Sequence, residues 1–327
     1  MKKTLFVSSL CVLIAGWGLK LPATSVNAET RSFVKQDTNN SSGTASAAKP
    51  QVELLTPGNE PRQELRFKPQ VNAKQTATMT MKMDMAMSIG GQSMPSFNSP
   101  AAVITMETVV NKIEPNGDIH YQFNYANVDV VGNPDTPPQA IEAMRTQMKK
   151  MVGFNGTVIV DERGQTKESR FNFTPEIEES SKRSIQQMSN SIEQLSSPLP
   201  KEAIGPGAKW RVSGLLSLNG MNITQTTTYE LVNIQGNVAT IKSTVEQNAG
   251  SQNLSSSSMP AGTSLTVKSF TSQGQGEMKM RLDQLMPITS TASMRANMEA
   301  NMRNPRTNQE MTMGSQVSME ITLESKQ

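Results

Sequence analysis

The sequence predicts a mainly β fold with two helices, a β-dominated α+β body of long antiparallel strands. Three observations lead there. From Thr76 onward apolar residues recur at every second position, Asn-Gly and other glycine-containing turns separate those runs, and only two segments switch to helical spacing. About 260 residues of this pattern suit either one long curved sheet or two β lobes, with possible halves 65–197 and 198–327. FNGTVIVDERGQTKESRFNF in one half and SFTSQGQGEMKMRLDQLMPI in the other are loosely alike, which suggests a duplicated unit.

The N-terminus reads as an export signal. Lys2 and Lys3 precede the apolar run Leu5 to Leu19, and the small-residue site Val26-Asn27-Ala28 follows, so residues 1–28 are expected to be a cleaved signal peptide. The apolar run is shorter than the roughly 20 residues a spanning helix needs, and no transmembrane anchor is expected after cleavage. Cys11 follows Leu10, where a lipidated cysteine would follow a small residue. The expected location is the periplasm, the cell envelope or the extracellular space. Residues 29–64, rich in Ser, Asn, Ala, Gly and Pro, are expected to be a disordered linker before a β-rich domain over 65–327.

Each strand then has its own warrant. Met79, Met81, Met83, Met85 and Met87 alternate with Thr80, Lys82, Asp84 and Ala86, the pattern of a half-buried strand. Ile104, Met106, Thr108 and Val110 continue it, and an Asn116-Gly117 turn joins them to Ile119, Tyr121, Phe123 and Tyr125. Thr157–Val160 and Ser169–Phe173 flank an Asp161-Glu162-Arg163-Gly164 turn. Later strands are expected over 209–218, 221–234, 237–247, 263–272, 276–285, 288–302 and 309–324. Residues 293–303 alternate as a strand although Met294, Met298 and Met302 also sit at four-residue steps; the strand reading is adopted because their neighbours alternate too. Ile141, Met144, Met148, Met151 and Val152 predict a helix over 138–152. Ile177, Ile185, Met188, Ile192 and Leu195 predict a second over 176–196.

Composition excludes several chemistries. Residues 1–28 hold three lysines and no acid, leaving 28 basic against 28 acidic residues, so no nucleic-acid partner is expected. The sole cysteine leaves with the signal, and the sole histidine, His120, falls on the polar side of a strand with no nucleophile elbow near it. There is no phosphate loop, dinucleotide fingerprint or HExxH. Asp84, Asp118, Asp161 and Asp283 are the carboxylates that folding could gather, but they fall on polar faces or turns. The protein is expected to be noncatalytic and to carry no cofactor.

Methionine is the unusual feature: 23 residues in a chain with 4% aromatics. Three readings compete. Methionine is an adaptable core filler; a concave methionine face contacts a flexible apolar or lipid-like ligand, through Met81, Met83, Met85, Met280 and Met298; or the thioethers Met79, Met81, Met83, Met85 and Met87 bind Cu(I), as soft sulfur does. The MTMKMDMAM run resembles, over nine residues, the methionine motifs of periplasmic copper-handling proteins.

The tract PLPKEAIGPGAKWRV, with Gly205, Gly207 and Trp210 leading into a strand, the GxGxMKMRLDQLMP segment and the secretory start resemble a family of secreted bacterial β-rich domains of unknown function. That resemblance spans roughly 65–327 and implies fold and export without any catalytic residue. More coarsely, a curved antiparallel sheet closed by helices is similar to the envelope lipoprotein carriers and related lipid-binding lipoproteins. The leading expectation is an exported envelope protein binding an apolar ligand; a structural or protein-interaction module with a solid core is the alternative, its partner an envelope protein.

Overall fold

The computed structural model describes residues 50–134, 136–175, 198–218, 220–254, 264–303 and 309–326. Its strands are β1 (Gln51–Thr56), β2 (Lys74–Ile89), β3 (Gln92–Ser93), β4 (Phe97–Asn98), β5 (Ala101–Ile113), β6 (Ile119–Val131), β7 (Asn155–Val160) and β8 (Thr166–Asn172), then β9 (Lys209–Leu218), β10 (Met221–Gln235), β11 (Val238–Ala249), β12 (Gln252–Leu254), β13 (Ser264–Arg281), β14 (Thr289–Arg303) and β15 (Glu310–Lys326). One helix, α1 (Pro138–Lys149), lies among the described residues. The second expected helix, 176–196, lies outside them.

All these strands belong to one antiparallel sheet, in the order β1-β9-β10-β11-β13-β14-β15-β2-β5-β6-β7-β8, with the short β3 and β4 paired to β2 and β12 to β13 beside that path. Each half of the chain is a meander of neighbours in sequence. The last strand, β15, then pairs with β2 along almost its whole length, from Met313 opposite Ile89 to Lys326 opposite Thr76. That long-range ladder makes one sheet of what could have been two lobes. It also fixes side-chain rows that cross both halves, because directly opposed residues in an antiparallel pair share a face.

Alternation assigns the faces. The outer face is polar, and one of its rows runs Lys209, Glu230, Lys242, Glu277 across β9, β10, β11 and β13. Opposite charges thus stand opposed three times in succession, an arrangement that favours this register over a one-residue slip. The inner face is apolar, and at one end of the sheet it is sealed. There a row across eight strands, Leu231, Ile241, Met278, Ser290, Leu323, Met79, Ile104 and Val128, has no member more than 2% exposed.

Three features seal that end. Residues 57–73 run from β1 at one edge to β2 in the middle of the sheet as a strap. Along it the Asn59 N–H donates to Pro206 O, the Phe67 N–H to Glu162 O, the Lys68 N–H to Leu282 O and the Asn72 N–H to Val110 O. Leu65 and Phe67 on the strap are buried, with Leu199, Ile204 and Ala208 from the segment before β9. The Arg66 guanidinium holds the pieces together, donating to Leu65 O, to Pro200 O at 3.1 Å, to Lys201 O at 2.6 Å and to Glu162 Oε1 at 3.0 Å. Helix α1, opened by Pro138 at its first turn, packs on β6 through buried Met148, while Arg145 pairs with Asp129 and Glu142.

Three expectations need correction. Residues 51–64 are not linker, because Val52 and Leu54 pack on the core while β1 takes the free edge of β9 and Gln63 bridges Ile204. The expected strands 263–272 and 276–285 are one strand, β13, whose Gly274 and Gly276 lie inside the ladder. Glycine there serves close approach: a Cβ on Gly274 would stand 3.0 Å from Ser293 O and 3.5 Å from the Met294 side chain. The supposed internal copies are not equivalent either, since one is the β7–β8 hairpin and the other is β13 with the turn after it. Residues 293–303 do form a strand, within β14.

The motif before β9 is structural, as the resemblance implied. Gly205 lies against the strap, where a Cβ would fall 1.8 Å from Asn59 O, and Trp210 stacks on Tyr229 with ring centroids 5.2 Å apart.

Candidate functional site: an open methionine face

Eight residues further along the same strands, the inner face changes character. The row Ala249, Phe270, Met298, Ser315, Met87 crosses β11, β13, β14, β15 and β2, and every member is half-buried. It lies roughly 27 Å from the sealed row at the usual strand rise. Around it Met83, Met85, Met294, Met302, Met311 and Met313 are also half-buried. Phe97, directly opposite Met85, is 41% exposed, and Met94, whose N–H donates to Met87 O, is 50% exposed. A smaller cluster of Leu216, Met221, Ile223 and Val267, with Phe270 and Met298 packed against it, flanks this open half.

The local sequence explains the openness. Strands β13, β14, β15 and β2 have 15 to 18 residues each, and so outrun the strap and helix that close the other end. Their inner positions beyond the seal are mostly Met, Ala, Ser and Gly, with few branched or aromatic side chains such as Val317 and Phe270 among them. Unbranched thioethers keep such a surface apolar while leaving its shape adaptable.

The residues expected to bind ligand divide between the two ends. Met81, Met83, Met85 and Met298 lie on the half-buried part of the inner face. Met280 does not join them: it is 2% exposed, opposite Ala239 in the sealed core. Met79 of the expected metal set is likewise in the sealed row, whereas Met81, Met83, Met85 and Met87 lie beyond it. Sequence reasoning missed Phe97, Met94, Met294 and Met319. The dense methionines over 294–302 and 311–319 were a usable signal, but which of them stand beside β2 depends on the β15–β2 register.

The inner face is not an enclosed pocket. A half-open hollow of about 650 Å³ lies on the opposite, polar face, lined by Lys209, Glu230, Lys242, Glu277, Glu320 and the hydroxyls of neighbouring strands. None of the methionines lines it.

The titratable groups are dispersed. Asp84, Asp118, Asp161 and Asp283 each pair with a separate cation, respectively Lys82, Lys167, Arg163 and Arg281. His120 is half-buried on the polar side, its Nε2 3.4 Å from Glu114 Oε1. A hydrogen bond from Lys112 holds the Glu114 carboxyl below the usual range. Among the described residues no three His, Cys, Asp or Glu side chains gather as a metal site, and no helix is long and apolar enough to cross a membrane.

Comparison with known proteins adds little chemistry. No curated protein matches the chain in sequence. Among solved structures, the outer membrane protease OmpT from Escherichia coli aligns over 81% of this chain and 99% of its own at 8% identity, with a TM-score of 0.20, too low to carry any argument. Residues 178–286, which include β9 to β13 and the turn after them, match the model of a family of unknown function, DUF6263.

Proposed function

We propose that this chain is an exported, noncatalytic binding protein of the cell envelope, and that the open half of its methionine face receives an apolar or lipid-like ligand. One observation carries the reading: the half-buried Met83, Met85, Met87, Met294, Met298 and Phe270, with the exposed Phe97, share one face, while the same strands are fully sealed roughly 13 to 27 Å away. A surface of that kind loses free energy to water at about 25 cal/mol per Å² until something apolar covers it. Because the face is open, the ligand lies along it rather than inside a pocket. Export is supported by the basic, apolar and small-residue order of residues 1–28.

The test is native mass spectrometry of the exported chain purified without detergent, followed by solvent extraction. A bound mass that extracts as lipid, together with binding of an apolar fluorescent probe that Met87→Glu and Met298→Glu weaken at least tenfold, is the expected result. A bare polypeptide that ignores the probe would leave the interaction-module reading in its place.

A further inference from the structure

We infer a soft-metal site on the inner face, in which Met83, Met294 and Met319 hold one Cu(I) ion through their thioether sulfurs. The register places them. Met294 on β14 stands directly opposite Met319 on β15, and Met319 directly opposite Met83 on β2. Three methionines therefore occupy one row on three adjacent strands, all on the inner face. No neighbouring row does the same: the adjacent ones read Ala292, Ile321, Met81 and Ala296, Val317, Met85.

The spacing suits a single ion. Adjacent strands lie roughly 5 Å apart, so the two outer Cβ atoms are roughly 10 Å apart with the third midway. A methionine sulfur stands two bonds beyond its Cβ, and the outer two side chains can lean toward the central one. By contrast, the i, i+2 run along β2 spreads its sulfurs along a line. On one flank the Met294 side chain packs over Gly274, where a Cβ would stand 3.5 Å from its Cβ and Cγ. On the other, Ser99 brackets Met83, its Oγ accepting from the Met83 N–H and its own N–H donating to Met83 O. Met319 is buried, whereas Met83 and Met294 are half-buried, so an ion can enter from the open half.

The ligand set selects the metal. Neutral thioethers without carboxylate or imidazole favour Cu(I) over harder divalent ions. No thiol or imidazole joins the set: the single thiol, Cys11, belongs to the expected signal, and the single imidazole, His120, lies on the polar face beside Glu114. Thioethers also carry no proton to displace, so affinity at this site is independent of pH, unlike that of His, Cys or carboxylate sites.

The inference goes beyond the apolar-ligand reading and fails separately from it. Under anaerobic, reducing conditions the exported chain is titrated with Cu(I) against a competing chromophoric chelator at pH 5.5 and 7.5. One equivalent bound with equal affinity at both values is expected, with a sulfur-only first shell by X-ray absorption. Met83→Leu, Met294→Leu and Met319→Leu should each weaken Cu(I) binding at least tenfold, while Met302→Leu and Met311→Leu leave it unchanged. Leucine nearly conserves volume, so these variants should fold. Should one not fold, the first shell and pH profile of the unaltered chain still decide. Oxygen or nitrogen in that shell, affinity that falls tenfold toward pH 5.5, or full affinity in a folded triple variant would overturn the inference.

Discussion

The two ends of this sheet are built from the same strands and behave as different materials. At one end Leu231, Ile241, Leu323 and Ile104 interlock under a strap, and water is excluded; eight residues further along, Phe270, Met298 and Met87 lie half-covered on the same face. Alternation is equally regular in both, so periodicity alone does not make a core. What differs is the second layer, which at the sealed end consists of Leu65, Phe67, Leu199 and Met148. The fold is held at one end and displays an apolar face at the other.

Substitutions can break that contrast or sharpen it. The largest effects should come from the sealed row: Ile241→Ala or Leu231→Ala should cost about 3 to 4 kcal/mol in urea unfolding, because neither site can collapse around the lost methyl groups. Next is the clasp. Arg66→Ala strands the carbonyl of buried Pro200 and removes the bond to Lys201 O, and should cost about 1 to 2 kcal/mol, with Arg66→Lys restoring only part, since an ammonium lacks the planar fork that reaches both carbonyls and Glu162. At the open end Met87→Leu and Met298→Leu should change stability by less than about 1 kcal/mol, the mark of a surface rather than a core.

The smallest effect is a dependence on pH. The hydrogen bond from Arg145 holds the Asp129 carboxyl below its ordinary range, and that from Arg281 does the same for Asp283. Each carboxyl binds fewer protons folded than unfolded. Their contribution is therefore present above the unfolded value near pH 4 and is lost as pH falls through the lower folded value. The urea midpoints of Asp129→Asn and the unaltered chain should converge below that range and separate slightly above it.

Much of the fold was legible because a strand announces itself by period two. The runs 79–87, 104–110 and 119–125 needed no tertiary information, and neither did the helix after Pro137 and Pro138. Strand β1 was missed because Val52 and Leu54 supply a single alternation, too little to stand out from a polar tail. Strand β13 was divided because glycine in sequence signals a turn, while here it admits the neighbouring strand. The site was half legible for a related reason. Alternation tells which face a methionine occupies, but its height on that face depends on pairing with a strand some 230 residues away. Met85 and Met280 therefore looked equivalent in sequence and lie at opposite ends of the inner face.

The most direct test of this account is methionine oxidation mapped residue by residue. The purified protein is exposed to dilute hydrogen peroxide and sulfoxide formation is followed by peptide mass spectrometry, since oxidation follows exposure. Met83, Met85, Met87, Met294 and Met298 should oxidise at least tenfold faster than Met79, Met278 and Met280, and a bound apolar probe should slow only the first group. Equal protection of both groups, unchanged by the probe, would mean a core solid from end to end and would contradict the open face.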